Sequence, residues 1–183
     1  LAFKPDLVPV GKDQLPHIEL TREIAKNFNT RFKKKVFNLP QSLLGDTPSL
    51  VGTDGKNKMS KSLNNAIFFK DSKEDVRKKI MNMYTDPKRI HPTDPGDPDK
   101  NPVFAYHRIF NNNRDEVLDL ENRYRKGQVG DIEVKQKLFD AISQFLDPIR
   151  ERRGKMNEDK KFIDKILASG NERARSFVKK TME

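Results

Sequence analysis

Apolar residues recur at more than one spacing along this chain, and each change of spacing predicts a change of structure. Leu7-Val8-Pro9-Val10 is a short apolar run closed by Gly11, as expected of a strand entering a tight turn. Beyond it Ile18, Thr21, Ala25, Phe28 and Phe32 return at intervals of three and four, the period of one helical face. Pro16 falls in the first turn of that helix, where amides lack intrahelical partners, and Asp13 is placed to cap it. From Lys33 to Thr47 the pattern gives a basic turn, a short extended piece and a loop, punctuated by Pro40 and Pro48. Strand, turn and helix in this order make one unit of an α/β fold, and such folds bind ligands beyond the carboxyl ends of their strands, where Gly11 to Gln14 would lie.

The segment Gly52-Thr53-Asp54-Gly55-Lys56-Asn57 is rich in turn formers, which places it on the surface. It runs into Lys58-Met59-Ser60-Lys61-Ser62 and then into the apolar Ala66-Ile67-Phe68-Phe69, so the two lysines sit on an exposed loop. Ser72 and Asp75 form a capping-box-like start for a helix whose inner face is Val76, Ile80 and Met83. Between Asp86 and Pro102 the density of Pro, Asp and Gly predicts irregular backbone and a connection between domains. Everything beyond reads as helical. Val103 to Phe110 is one short helix, and Val117, Leu118 and Tyr124 mark another. Leu138, Phe139, Ile142, Phe145, Leu146 and Ile149 form a long stripe, kinked or ended near Pro148. Phe162, Ile163, Ile166 and Leu167 give a helix closed by Gly170, with Ala174, Phe177 and Val178 opening the last.

Charge narrows the choice of partners. Lys and Arg total 37 against 27 Asp and Glu, a net charge of +10, which favours polyanions such as nucleotides and nucleic acid. The absence of cysteine excludes disulfides and thiolate metal sites, and suits a reducing cytoplasm. No apolar run is long enough to span a bilayer. His91 and His107 stand without a ligand constellation, so structural roles are expected of them rather than metal binding.

The chemistry is concentrated in the lysine loop. Two ammonium groups three positions apart, on a loop free to close over a ligand, can neutralise a triphosphate while its α–β bond breaks, without any proton transfer. Lysine suits this as a compact cation on a long stem. Taken as a bare K-x-x-K, the same pair would also fit a solvated basic loop.

The five residues spell the KMSKS signature of class I aminoacyl-tRNA synthetases. Upstream, Val8-Pro9-Val10-Gly11-Lys12-Asp13-Gln14 followed by His17-Ile18-Glu19-Leu20-Thr21-Arg22 resembles the VPVG-x-DQ…H-x-ELTR segment of tryptophanyl-tRNA synthetases. Tyr84-Thr85-Asp86-Pro87, Asn101-Pro102-Val103-Phe104 and the stretch from Ala168 to Arg175 are also similar, so the resemblance covers nearly the whole chain. It implies a fold that begins α/β and becomes all-α: residues 1–85 as the C-terminal part of a Rossmann-type catalytic domain, 86–102 as a connection, and 103–183 as a helical anticodon-binding domain. It implies ligation of tryptophan to its tRNA through a tryptophanyl-adenylate, by a cytoplasmic homodimer. Lys58 and Lys61 would be catalytic. Gly11, Asp13, Lys58, Met59, Ser60, Lys61 and Ser62 would bind ATP, with Asp13 on the ribose hydroxyls, and Gln14 would hold the amino acid. Magnesium would arrive with ATP, and no protein-bound metal is expected. Lys12 stands where an acidic residue is expected in many relatives. Arg150, Arg152, Arg153, Arg173, Arg175, Lys179 and Lys180 are candidate contacts to tRNA phosphates. The family's HIGH-like motif and its reader of the indole nitrogen have no counterpart here, so the chain alone is expected to be inactive. Two alternatives stay open: a tyrosine-specific relative with the same loop, and a non-catalytic helical RNA-binding module that retains it.

Overall fold

Strand β1 (Leu7–Val10) pairs in parallel with β2 (Gln41–Leu44) in the computed structural model, which describes residues 1–45 and 50–182. The register aligns Leu7 with Gln41 and Val10 with Leu44. Parallel neighbours need a crossover, supplied here by α1 (Leu15–Arg31), so the expected strand, turn and helix form the first part of a βαβ unit. The extended piece expected after Lys33 is β2; the end of the loop beyond it, Thr47 with Pro48, lies outside the described residues.

Side chains fix the return from α1 to β2. Asn29 near the helix end accepts from the amides of Val36 (2.8 Å) and Phe37 (3.0 Å) and donates to the Phe37 carbonyl (2.8 Å), satisfying a turn that has no regular partners. Arg22 donates to the carbonyl of Pro40 at 2.8 Å, just before β2 begins. Ala25 is fully buried, and Phe28 packs its ring on Phe32 and Phe37. One local expectation is corrected: Asp13 does not cap α1. A single 3-10 turn, Lys12–Gln14, precedes the helix, and the N-cap is Gln14, with no side-chain cap bond.

The chain separates into two compact units, Leu1–Thr47 with Asp159–Glu183, and Pro48–Glu158. Besides the βαβ elements the first contains α6 (Lys160–Met182), which runs unbroken through Gly170. The stop expected at Gly170 fails because a glycine ends a helix by turning left-handed, and the described glycines with positive φ are Gly55 and Gly127. Phe3 stacks on Phe177 with ring centroids 5.9 Å apart.

In the second unit α2 (Lys73–Met81), α3 (Pro102–Phe110), α4 (Arg114–Arg125) and α5 (Asp131–Glu158) surround a core of Ile80, Met83, Phe104, Tyr124, Leu138 and Ile142. The Ser72 hydroxyl accepts from the Asp75 amide at 3.0 Å, so the expected cap is formed. Helix α5 does not end at Pro148 but continues ten residues past it, to Glu158. Lys135, buried on α5, donates to the carbonyls of Met81 (2.8 Å) and Met83 (2.7 Å), closing the carboxyl end of α2. His107 is fully buried, with Nε2 2.9 Å from the Val134 carbonyl and Nδ1 3.3 Å from the Asn111 amide nitrogen. Burial pushes its pKa down.

Residues 86–101 contain no helix or strand, as expected, and run largely exposed over the second unit, tied to it by a few buried side chains. One of these is Arg89. Its guanidinium, with 2% side-chain exposure, pairs with Asp131 at 2.6 Å, donates to the carbonyls of Asp94 (2.7 Å), Pro92 (2.8 Å) and Val129, and lies 4.0 Å from the centre of the Tyr124 ring. A segment without regular structure has its carbonyls unmet, and one planar five-donor cation gathers them. The two compact units divide at 47/48 and 158/159.

Candidate active-site loop

The lysine loop springs from a small, heavily bonded base. Val51 forms an antiparallel bridge with Lys58, and Gly52 N donates to the Asn57 carbonyl at 2.7 Å, so residues 51–58 double back on themselves. Asp54 fastens the turn: one carboxylate oxygen accepts from the amides of Lys56 and Asn57 at 3.2 Å each, and the other from the Asn57 side chain at 2.9 Å. Hydrogen bonding, first from the Asn57 side chain, lowers the Asp54 pKa to about 2, so the turn keeps its anionic centre throughout the neutral range.

Asn65 closes the loop from the other end. Only 3% exposed, it accepts from the Ser60 amide at 2.7 Å through Oδ1, and its Nδ2 donates to Asp54 and to the Lys58 carbonyl, both at 3.1 Å. Its own carbonyl accepts from Thr53 N at 2.8 Å. Gly52 lies flat against this side chain: a β-carbon there would fall 2.2 Å from Asn65 Nδ2. Gly52 and Thr53 are buried, contrary to the expectation of a wholly exposed segment, because the turn is folded onto Asn65 and Thr53 accepts from Tyr84 N at 3.0 Å. Tyr106 of α3 donates to the Val51 carbonyl at 2.8 Å, and Lys79 of α2 to the Ala66 carbonyl at 2.9 Å. Both stems of the loop are thus tied to helices.

The functional side chains stand outward from this base. Lys58, Met59, Lys61 and Ser62 are exposed, as expected, and the hydroxyls of Ser60 and Ser62 are 2.8 Å apart. Met59 overhangs an apolar cavity of about 220 Å³ that Ile67, Tyr106 and Phe145 also line. The result is fixed backbone beneath exposed cations, which lets the ammonium groups follow a charge that moves during reaction while their anchor stays still.

The second motif belongs to the other unit. Gly11 follows β1 directly and opens the 3-10 turn, and a β-carbon there would stand 2.8 Å from the Asp13 carboxylate. Asp13 accepts from the Gln14 side-chain amide at 3.1 Å. Both side chains are exposed beyond the carboxyl end of β1, where the α/β topology places ligands. Of the basic residues considered for RNA phosphates, Arg150 is committed elsewhere: it donates to the Asp71 carbonyl at 3.1 Å and pairs with Asp147 at 2.9 Å. Arg152, Arg153, Arg173, Arg175 and Lys180 are exposed.

Sequence reasoning passed over Asn65 and Asp54. The Asp54-Gly55 pair is a recognisable turn signal. Asn65 has none, since its importance arises only when residues eleven positions apart are folded together.

The family model for class I tRNA synthetases (W and Y) matches residues 1–147. The tryptophan–tRNA ligase of Borreliella burgdorferi is 50% identical over 184 residues, covering 100% of this chain and 52% of its own length. That of Treponema pallidum is 51% identical over 183 residues, covering 100% and 54%. Among solved structures, tryptophanyl-tRNA synthetase from Campylobacter jejuni complexed with ADP and tryptophan superposes with a TM-score of 0.80 at 31% identity, covering 100% of this chain and 56% of that one. The chain spans about half the length of the curated relatives it matches.

Proposed function

Since the chain belongs to the class I tRNA synthetases of the tryptophan and tyrosine family, we propose that it serves an enzyme that ligates tryptophan to its tRNA. The observation that carries this reading is the match over the whole chain, at 50% and 51% identity, to proteins named as tryptophan–tRNA ligases. Tryptophan is preferred to tyrosine on the same ground, and on the VPVG and H-x-ELTR residues.

In the first half-reaction a carboxylate oxygen of tryptophan bonds to the α-phosphorus of ATP, the bond to the bridging oxygen breaks, and pyrophosphate leaves with the negative charge. Lys58 and Lys61 meet that charge, stabilising the leaving group by electrostatics without moving a proton. Met59, Ser60 and Ser62 complete the contact with the nucleotide. At the other motif Gly11 admits the backbone close to ATP, Asp13 accepts from the ribose hydroxyls, and Gln14 holds the amino acid, because a carboxylate suits a diol and an amide both donates and accepts. Magnesium is part of the ATP substrate. The adenylate then passes its acyl group to the tRNA 3′ end. We read residues 1–85 as the catalytic part, 86–102 as the connection and 103–183 as the tRNA-binding part of a cytoplasmic homodimer.

The test is Lys61→Ala in the full-length parent. Tryptophan-dependent exchange of pyrophosphate into ATP should slow by roughly a hundredfold or more, the order found for a preorganised charge donor, with a smaller change in KM. An unchanged rate refutes the role of Lys61. Exchange driven by tyrosine alone refutes the choice of amino acid. The chain without further sequence is expected to form no adenylate.

A further inference from the structure

Beyond the lysine loop, Lys61, Phe68, Phe69, Lys70 and Arg153 line an open cleft of about 540 Å³. Three cations and two phenyl rings meet there, and among the described residues no carboxylate lines it. Other bases of this unit are paired with carboxylates: Lys79 with Asp71 at 2.7 Å, Lys137 with Glu116 at 2.5 Å, Arg108 with Asp99 and Glu121, Arg89 with Asp131. Among the described residues Lys61, Lys70 and Arg153 form no ion pair, and all three are exposed. Phe69 is 61% exposed although the apolar wall behind it, with Phe145 at 6.5 Å, offers it a support. Phe68 is already flanked by cations, with Lys79 Nζ at 4.8 Å and Lys70 Nζ at 6.0 Å from its ring centre.

Each part of this arrangement excludes some ligands. An apolar peptide would leave three cations unanswered. Free phosphate or pyrophosphate would answer them but would not use an exposed ring. A duplex offers phosphates but keeps its bases stacked away from an aromatic platform. Single-stranded nucleic acid uses both, with phosphates at the cations and a base face on the ring. The volume falls within the range of about 300–1,000 Å³ typical of small-ligand pockets, enough for a short piece of strand.

We propose that this cleft is a binding site for single-stranded RNA, with a base stacked on Phe69 and the adjoining phosphates at Lys70 and Arg153. The proposal rests on the proposed function only in taking the strand as RNA. Lys61, at the shared edge of cleft and lysine loop, links strand binding to the loop that acts on ATP.

The chain contains no tryptophan, so Phe69→Trp installs a single indole at the platform. Titrating this variant with a mixed-sequence hexaribonucleotide should quench its fluorescence as bases stack; saturable binding without quenching overturns the site. In anisotropy titrations of the labelled hexamer, Phe69→Ala should weaken binding by roughly tenfold, the order of one lost base stack. The Lys70→Ala, Arg153→Ala double variant should reduce the slope of log K against log salt by about 1.4, two phosphate contacts on a single strand. Circular dichroism of each variant checks that the helices persist. An unchanged affinity in Phe69→Ala or an unchanged slope in the double variant refutes the proposal, and equal binding of the matching single-stranded DNA refutes RNA as its ligand. Loss of the enzymatic reading would appear instead in pyrophosphate exchange by the parent, which none of these titrations measures.

Discussion

Replacing Arg89 by alanine should be among the most damaging single changes in the second unit. The substitution removes a guanidinium with 2% side-chain exposure and leaves Asp131, 25% exposed, with only the Tyr124 hydroxyl at 2.9 Å as a strong partner. Breaking a buried ion pair from one side costs about 3–5 kcal/mol, because the remaining charge loses its compensation. The carbonyls of Pro92, Asp94 and Val129 lose their donor as well, while water reaching the partly exposed Asp131 recovers some of the loss. The balance is a destabilisation of about 4 kcal/mol, a large fraction of the roughly 5–15 kcal/mol that holds a domain folded. The three tyrosines, Tyr84, Tyr106 and Tyr124, all lie within Pro48–Glu158, so tyrosine fluorescence during urea unfolding reports on this unit alone. Arg89→Lys keeps the charge but not the fork, and should lose about half as much, since one ammonium cannot serve Asp131 and three carbonyls at once. Asp131→Asn in both backgrounds completes a cycle whose coupling should reach about 2 kcal/mol. A loss below about 1 kcal/mol in Arg89→Ala would refute the claim that this cation holds residues 86–101 in place.

How much of this was legible beforehand depended on the physical range of each cue. Strand β1, the Pro16 helix start, the Ser72 cap and the exposed lysine loop are governed by neighbours within about four residues, and all four appear where the pattern put them. Pro148 predicts a kink or an end and Gly170 an end because their penalties, about 3 and 1 kcal/mol, act on local propensity, yet neither ends its helix. Packing overrides the first: Phe139, Ile142 and Leu146 bury α5 on one side of Pro148, and Arg150 ties the other to Asp71. For Gly170 the structure gives no comparable tertiary reason, since α6 has no buried residue. Arg89 and Asn65 were invisible for a different cause. Each acts by collecting polar groups scattered along the chain, and nothing in their immediate neighbours sets either apart. The Pro, Asp and Gly content excludes regular structure over 86–101, as observed, but it gives no sign of the buried cation that gathers part of that backbone's carbonyls.

Further tests address the other buried polar groups. Burial lowers the pKa of His107 from its ordinary 6.5, so the unfolded chain takes up the proton first; its contribution to stability is complete above about pH 6.5 and lost as pH falls below it. Unfolding free energies from urea titrations should therefore decline from pH 7 to 5 by up to about 1.4 kcal/mol per unit, and His107→Gln should flatten that decline; parallel curves would contradict it. Lys135→Met keeps the apolar stem but removes both donors to the end of α2, and should cost about 2 kcal/mol, the lower end for charged hydrogen bonds because burial already opposes the ammonium. No loss of stability would mean that desolvation cancels those bonds. Asn65→Ala tests the base of the lysine loop. It deletes the bonds to Ser60, Lys58 and Asp54 together, worth about 1 kcal/mol each. The opening equilibrium that exposes the Ser60 amide should therefore shift by about 3 kcal/mol, and its hydrogen exchange should quicken by roughly a hundredfold. The core amides of α5 rest on the helix packing beneath and should keep their rates. Should the Ser60 amide exchange no faster, the loop's order does not come from Asn65; should the α5 amides quicken equally, the substitution has destabilised the whole unit rather than released the loop.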